Sequence, residues 1–205
     1  LFPKSAVITR GLNEYEYYLD LTHPIDETEK WKEIVEDRII VAYGQPFRIK
    51  YVQKTMKEIV AYCEQIFFDL NNNLIEDTNV KDKNGNMALN QILSNTTYQH
   101  PFKGTSNIQI INSSRLVRKN VLSAIIGENE NSFVNRWGGE LDIDGFSFKI
   151  NTRIGQNNGY KVEYSKNMTG INAKFDMRNV VTKIRPVGFD GIKLDELFVD
   201  SPYID

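Results

Sequence analysis

Nucleophilic catalysis needs a Ser, Cys or Thr with a base in hydrogen-bond reach, and this chain offers one cysteine, Cys63, and two histidines, His23 and His100. Cys63 sits among Val60, Ile66 and Phe67, a setting that predicts a buried, inert thiol rather than a thiolate. His23 precedes Pro24 and His100 precedes Pro101. A following proline favours extended or turn backbone, so both are expected in surface loops. Asp142 and Asp144, two apart, would project the same way from a strand; that spacing suits an acid pair but more often marks a solvated face. Asp82-Lys-Asn84-Gly85 carries the oxygens and glycine of a calcium loop, yet its register fails. Aligned on Gly85, Val80 takes the first ligand position and Gln91 the place of a bidentate Glu, which leaves an ordinary Asx-rich turn. Glu128, Glu130 and Glu140 flank an Asn-rich stretch and read as a helix exit, not a cluster.

No H-E-x-x-H, G-x-S-x-G or phosphate-cradling glycine run is present. Gly138-Gly139 after Trp137 is too short to hold phosphate and predicts a tight turn into the Leu141 strand. One cysteine cannot form an internal disulfide, nor can it join two histidines in a zinc cage at a familiar spacing. The expectation is therefore no catalytic residue, no metal and no cofactor, with binding residues left unassigned. Asn95-Thr-Thr97, Asn112-Ser-Ser114 and Asn167-Met-Thr169 match glycosylation acceptors, best taken as chance matches in an Asn-rich chain. Tyr15, Tyr17, Trp31 and Trp137 could serve as sugar-stacking or interface surfaces, with core packing the default for each.

The elements that would position these residues come from a chain of 205 residues, 40% hydrophobic and 25% charged, enough to bury a sizeable core. A net charge of -2 provides no basic field for a phosphate backbone, so nucleic-acid recognition is not expected. Apolar runs such as Ile39–Tyr43 fall far short of the ~20 residues that span a bilayer; a soluble chain without membrane association is expected. The start at Leu1 and the ending Ser201-Pro-Tyr-Ile-Asp205 suggest a piece of something longer.

Alternation over Glu14–Leu21 predicts a strand, and Asp26-Glu-Thr-Glu29 a short helix start or an acidic turn. Ile39–Tyr43 and Phe47–Val52 predict two strands around Gly44-Gln-Pro46. Val52 to Leu70 fits a helical stripe or a strand. Glu76–Asn86 reads as a polar loop, Met87–Leu93 as a helix, and Ser114–Ile126 as a second helix ended by Gly127. Leu141–Ile143 and Phe146–Ile150 predict a hairpin joined at Asp144-Gly145. Further strands are expected at Tyr160–Tyr164 and Val180–Val187. Sheet, helices, sheet is an α+β order, divided as 1–63 β-rich, 64–132 mixed helical and 133–205 β-rich.

Four ordered blocks then carry a resemblance: Met87-Ala-Leu-Asn-Gln-Ile-Leu-Ser-Asn-Thr96, Asn131-Ser-Phe-Val-Asn-Arg-Trp-Gly-Gly-Glu-Leu141, Lys166-Asn-Met-Thr-Gly170 and Val180-Val-Thr-Lys-Ile-Arg-Pro-Val-Gly-Phe-Asp-Gly191. With Gln45-Pro-Phe-Arg-Ile49, Phe67-Phe-Asp-Leu70 and the ending Val199–Asp205, the chain resembles the prophage tail endopeptidase family, the N-terminal region of phage minor structural proteins. The resemblance implies β-barrel-like hub domains with an intervening α/β part, similar to phage baseplate hubs. It implies a homotrimeric ring at the virion tail tip, assembled in the host cytoplasm, that closes the tail tube. Its partners would be the distal tail protein, tail tube or tape-measure components, and downstream lysin or fibre modules. It also favours strand, turn and strand over Phe47–Cys63, with helix from about Glu64. None of the blocks is a catalytic motif, so any cell-wall endopeptidase activity is expected in a downstream domain. Alternatives are a peptidoglycan endopeptidase acting in this segment and a host-wall binding module.

Overall fold

The computed structural model describes residues 1–12, 15–173, 183–185, 187, 189–192 and 199–200. They form two units, residues 1–156 and residues 157–205.

The first unit begins with β1 (Ser5–Gly11) and β2 (Glu16–Pro24), a 3₁₀ turn (Lys30–Glu33), β3 (Ile39–Ala42), β4 (Gln45–Lys54) and β5 (Glu58–Gln65). These strands make one antiparallel sheet in the order β1-β2-β5-β4-β3. Its inner face follows from strict alternation: Tyr17, Leu19, Leu21 and His23 of β2 and Ile59, Ala61, Cys63 and Gln65 of β5 are all buried. Phe47 and Ile49 continue that face on β4, until a register shift between Ile49 and Tyr51 bends the strand. The β3–β4 hairpin turns at Tyr43-Gly44, where both residues have positive φ, so Pro46 lies inside β4 opposite Val41. The ambiguous stretch from Val52 is strand, turn and strand, and a 3₁₀ segment (Ile66–Asn72) then buries Ile66, Phe67 and Leu70. Between β2 and β3 the acidic stretch gives a turn held by Asp26, which accepts from the Thr28 N–H at 3.1 Å, and then the one-turn Lys30–Glu33 segment.

Two expectations are corrected in the middle of the chain. Glu76–Asn86 is not a loop: β6 (Leu74–Lys83) pairs antiparallel with β8 (Asn112–Asn120). Nor is Ser114–Ile126 one helix, because β8 occupies its first half and α2 is only Val121–Ile126. The strand pattern is masked because the buried face changes parity, from Ile75 to Thr78 and Val80. The change lies between the pairs Ile75–Lys119 and Asp77–Val117, beside Arg118 at φ 49. Helix begins only where the Asn120 side chain accepts from the Ser123 N–H at 2.7 Å, an N-cap.

Helix α1 (Gly85–Ser94) starts at Asn84, whose Oδ1 accepts from the Met87 N–H at 3.0 Å. The strands β7 (Lys103–Ser106), β9 (Glu140–Asp144) and β10 (Ser147–Asn151) make a second sheet in the order β7-β10-β9, in which β7 and β10 are parallel. The loop of the β9–β10 hairpin is Gly145-Phe146, one residue later than Asp144-Gly145. Gln45 and Gln65 stitch this hairpin to the five-stranded sheet: Gln45 Oε1 accepts from the Gly145 N–H at 2.7 Å, and Gln65 Nε2 donates to the Gly145 carbonyl at 3.0 Å. Helix α3 (Phe133–Trp137) ends in Gly138-Gly139, the predicted tight turn, and leads into β9. One hydrophobic cluster runs from Tyr17 through Phe67, Leu89 and Phe133 to Phe148 and Ile150.

In the second unit β11 (Lys183–Ile184) pairs antiparallel with β12 (Val199–Asp200). The predicted strand at Tyr160–Tyr164 does not form; Gly159 closes an Asx turn on Asn157, and residues 160–164 pair with no strand among the described residues. Of the strand expected at Val180–Val187, residues 180–182 and 186 lie outside the described residues.

Candidate functional site

Cys63 lies on β5 with no exposed surface, opposite Leu19. Burial, followed by the charge of Asp20, pushes its thiol up to about 12, away from the thiolate form. Native chain at pH 8 is therefore expected to leave Cys63 unmodified by an aromatic disulfide reagent, with full reaction only in denaturant. Because the folded state holds this proton more tightly than an unfolded thiol does, its contribution to stability is complete below about pH 9 and is lost as pH rises toward 12.

His23 corrects the sequence expectation: it is the last inward residue of β2, 1% exposed, and not in a surface loop. Its Nδ1–H donates to the Pro24 carbonyl at 2.7 Å, while Nε2 is buried without a partner among the described residues. His23 shares the inner face with Cys63, but it stands four residues along β2 from Leu19, about 13 Å at ~3.3 Å per residue. No proton passes directly between them. His100 is half-buried after α1, with Nε2 3.2 Å from the Leu93 carbonyl.

Each of the acidic candidates Asp142, Asp144 and Glu140 has a structural partner. Asp142 receives Arg10 at 2.5 Å, and Asp144 receives Gln45 Nε2 at 2.7 Å. Glu140 accepts from the Ile154 N–H at 2.7 Å. Asn84 caps α1 and Asp82 occupies an irregularity of β6, so the calcium-like string is divided between strand and helix. Among the described residues no three His, Cys, Asp or Glu side chains converge as metal ligands, and no helix is long and apolar enough to cross a membrane. The carboxamides of Asn95, Asn112 and Asn167 each donate to a backbone carbonyl, of Gln91, Arg136 and Lys161 respectively. Two proposed aromatic platforms are interior. Tyr17 packs edge-on against Phe47 with centroids 5.5 Å apart, and Trp137 stacks on Phe133 while its Nε1 donates to the Lys83 carbonyl at 2.9 Å.

One ionic cluster is partly buried. Asp69, in the 3₁₀ segment, accepts from Arg48 Nε at 2.6 Å and Lys50 Nζ at 3.2 Å, which ties that segment to β4. Asp69→Ala would leave both cations with less compensation, at an expected cost of about 1–3 kcal/mol in urea unfolding. Lys50 retains Glu64 at 3.5 Å, which limits the loss.

The structural feature absent from the sequence reading is an open seam. Among the described residues β1 and β3 each have a strand partner on one side only, and both edges line one groove of about 570 Å³. Its floor and walls are Ala6, Leu21, Ile40 and Ala42, with Glu33 and Arg38, already paired to each other, at its margin. The volume lies within the usual range for ligand sites, but apart from the paired Glu33 and Arg38 and the Tyr43 hydroxyl its side chains are apolar, which gives a small polar ligand little to orient it. Two free backbone edges with apolar flanks suit an added polypeptide strand. Around it Ile39 and Val41 of β3 and Tyr43 of the following turn are exposed, Val41 by 70% and Tyr43 by 81%. A separate slot of about 140 Å³ between Tyr15, Tyr18, Tyr62 and Phe68 is below ligand size.

A mixed α+β class, mostly strand, built around a curled and open five-stranded sheet, is the type of protein these features define. In fold the chain is similar to the prophage tail protein gp18 of Listeria monocytogenes EGD-e: the TM-score is 0.61 at 14% identity, over 97% of this chain and 61% of that one. The likeness is one of fold, and this chain corresponds to 61% of the length of its neighbour. No family model matches the chain, and no curated protein matches it in sequence.

Proposed function

We propose that the chain is a structural component of a phage tail, and within that class a baseplate-hub subunit that assembles with its own copies at the tail tip. The observation that carries this reading is the fold shared with a prophage tail protein along 97% of the chain. The open seam adds a physical means, because unpaired strand edges with apolar flanks are covered when subunits meet. In this reading the ring is a trimer that joins the distal tail protein above to lysin or fibre modules below. Cell-wall cleavage belongs to another domain, since the buried thiol of Cys63 and the separation of His23 from it supply no activated nucleophile here.

Sedimentation of the chain alone and with the distal tail protein tests the reading. A trimer, or a complex with the tail ring, is expected; a strict monomer that ignores that ring at high concentration overturns it. A second reading, host-wall binding, is favoured by one surface feature. Tyr62 lies between Tyr18 and Tyr51, with ring centroids 5.2 and 5.7 Å away, and the Tyr51 pair is stacked. Saturable change in intrinsic fluorescence on titration with host wall polysaccharide would support that module, and a hub shows none.

A further inference from the structure

The groove between β1 and β3 has a counterpart elsewhere in the same chain. Tyr160-Lys-Val-Glu-Tyr164 alternates apolar and charged residues as a half-buried strand does, but it has no strand partner among the described residues. Tyr160, Val162 and Tyr164 are 94%, 71% and 86% exposed. One edge of the segment is already satisfied: the Asn167 carboxamide donates to the Lys161 carbonyl at 2.9 Å and accepts from the Glu163 N–H at 2.8 Å. In an extended chain the backbone groups of residues 161 and 163 face one side and those of Val162 the other. The Val162 side has no backbone hydrogen bond among the described residues.

We propose that Tyr160–Tyr164 of one copy adds as a strand to the free edge of β3 in a second copy and fills the seam. This rests on the self-assembling reading above and names its contact. The lengths agree, since Ile39–Ala42 presents four residues, about 13 Å of edge at ~3.3 Å per residue, and five residues cover it. The faces agree as well. With Tyr160, Val162 and Tyr164 turned inward they cover Ile40, Ala42, Ala6 and Leu21, while Lys161 and Glu163 remain in water beside Val41. A second copy is the occupant because the unpaired strand pattern and the unpaired edge are both present in one chain. Such a contact is head-to-tail, the type that closes into rings.

Paired cysteines test the geometry. Val41→Cys combined with Lys161→Cys, or with Glu163→Cys, puts two thiols on the outer face of the extended sheet, within disulfide reach in one register or the other. Cys63 is buried and does not compete. Mild oxidation is expected to give covalent dimers and higher multimers for one of the two pairs. A cross-link confined to monomer mass, or none in either pair, overturns strand addition between copies. Separately, Val162→Asp is expected to weaken self-association at least about tenfold with an unchanged circular dichroism spectrum, since the side chain lies in water in the single chain. If the unmodified chain and Val162→Asp associate equally, strand addition is wrong and the ring reading stands. If the unmodified chain stays monomeric even with the tail ring present, both fall.

Discussion

Phe148→Ala is expected to destabilise the first unit by about 3–5 kcal/mol, the usual cost of emptying an aromatic core site, seen as a lower urea midpoint at nearly constant slope. Phe148 is 2% exposed on β10, and its ring meets that of Phe67 with centroids 4.8 Å apart at 64°. Phe67 belongs to the segment that follows the five-stranded sheet, so this one edge-to-face pair ties the two sheets together. On its far side Phe148 Cζ occupies the space over Gly104, only 2.7 Å from where a Cβ at that residue would stand, with Leu89 of α1 beside it. Strand, helix and 3₁₀ segment thus all lose a neighbour when the ring is removed, and no single element can shift to refill the space. The Phe148→Leu variant keeps most of the volume and is expected to cost under about 1.5 kcal/mol. Combined with Phe67→Leu, a coupling of about 0.5–1.5 kcal/mol would isolate the aromatic contact from the cavity.

Phe148 was legible in the sequence because β10 alternates without interruption, and so were β2 and the buried Cys63, whereas the periodicity of β5 fitted helix and strand alike and only the resemblance favoured strand. Where alternation breaks, the reading fails for a physical reason. In β6 the buried parity changes beside the Arg118 kink of β8, and polar residues on the outer face resemble a loop while Leu116, Val121 and Ile125 together imitate a helical stripe. The signal that could have placed the boundary was Asn120, a capping side chain three residues ahead of Ser123. His23 was misjudged because the proline rule describes backbone alone. Extended backbone before Pro24 is also strand backbone, and the inward register of β2 decided its burial. The seam could not be read at all: which strands lie at the edges follows from long-range pairing, and the order β1-β2-β5-β4-β3 is not written in any local pattern. The strand pattern of Tyr160–Tyr164 was visible, but its lack of a partner among the described residues was not.

The turn after Trp137 offers the sharpest test of how the second sheet is anchored. Gly139 has φ +104, a region that side chains rarely adopt, and a Cβ there would stand 2.8 Å from Ile108 Cδ1, 2.9 Å from Ile150 Cγ2 and 2.9 Å from the Asn151 carbonyl oxygen. The last of these is backbone of the β10 terminus and cannot swing aside. Strain in φ and this clash add, so Gly139→Ala is expected to cost about 3 kcal/mol or more, comparable to the loss of a core aromatic. Gly138 is the control: its φ is +74, but a Cβ there meets nothing within 4 Å. Gly138→Ala should therefore show only the conformational penalty of a φ +74, ψ −162 position that glycine alone adopts readily, about 1–3 kcal/mol. The difference arises because Gly139 carries the chain across β10 as it leaves α3, and any side chain there pushes β9 off the strand it must pair with. Equal losses in the two variants would mean that conformational strain alone, and not the close approach, sets this turn.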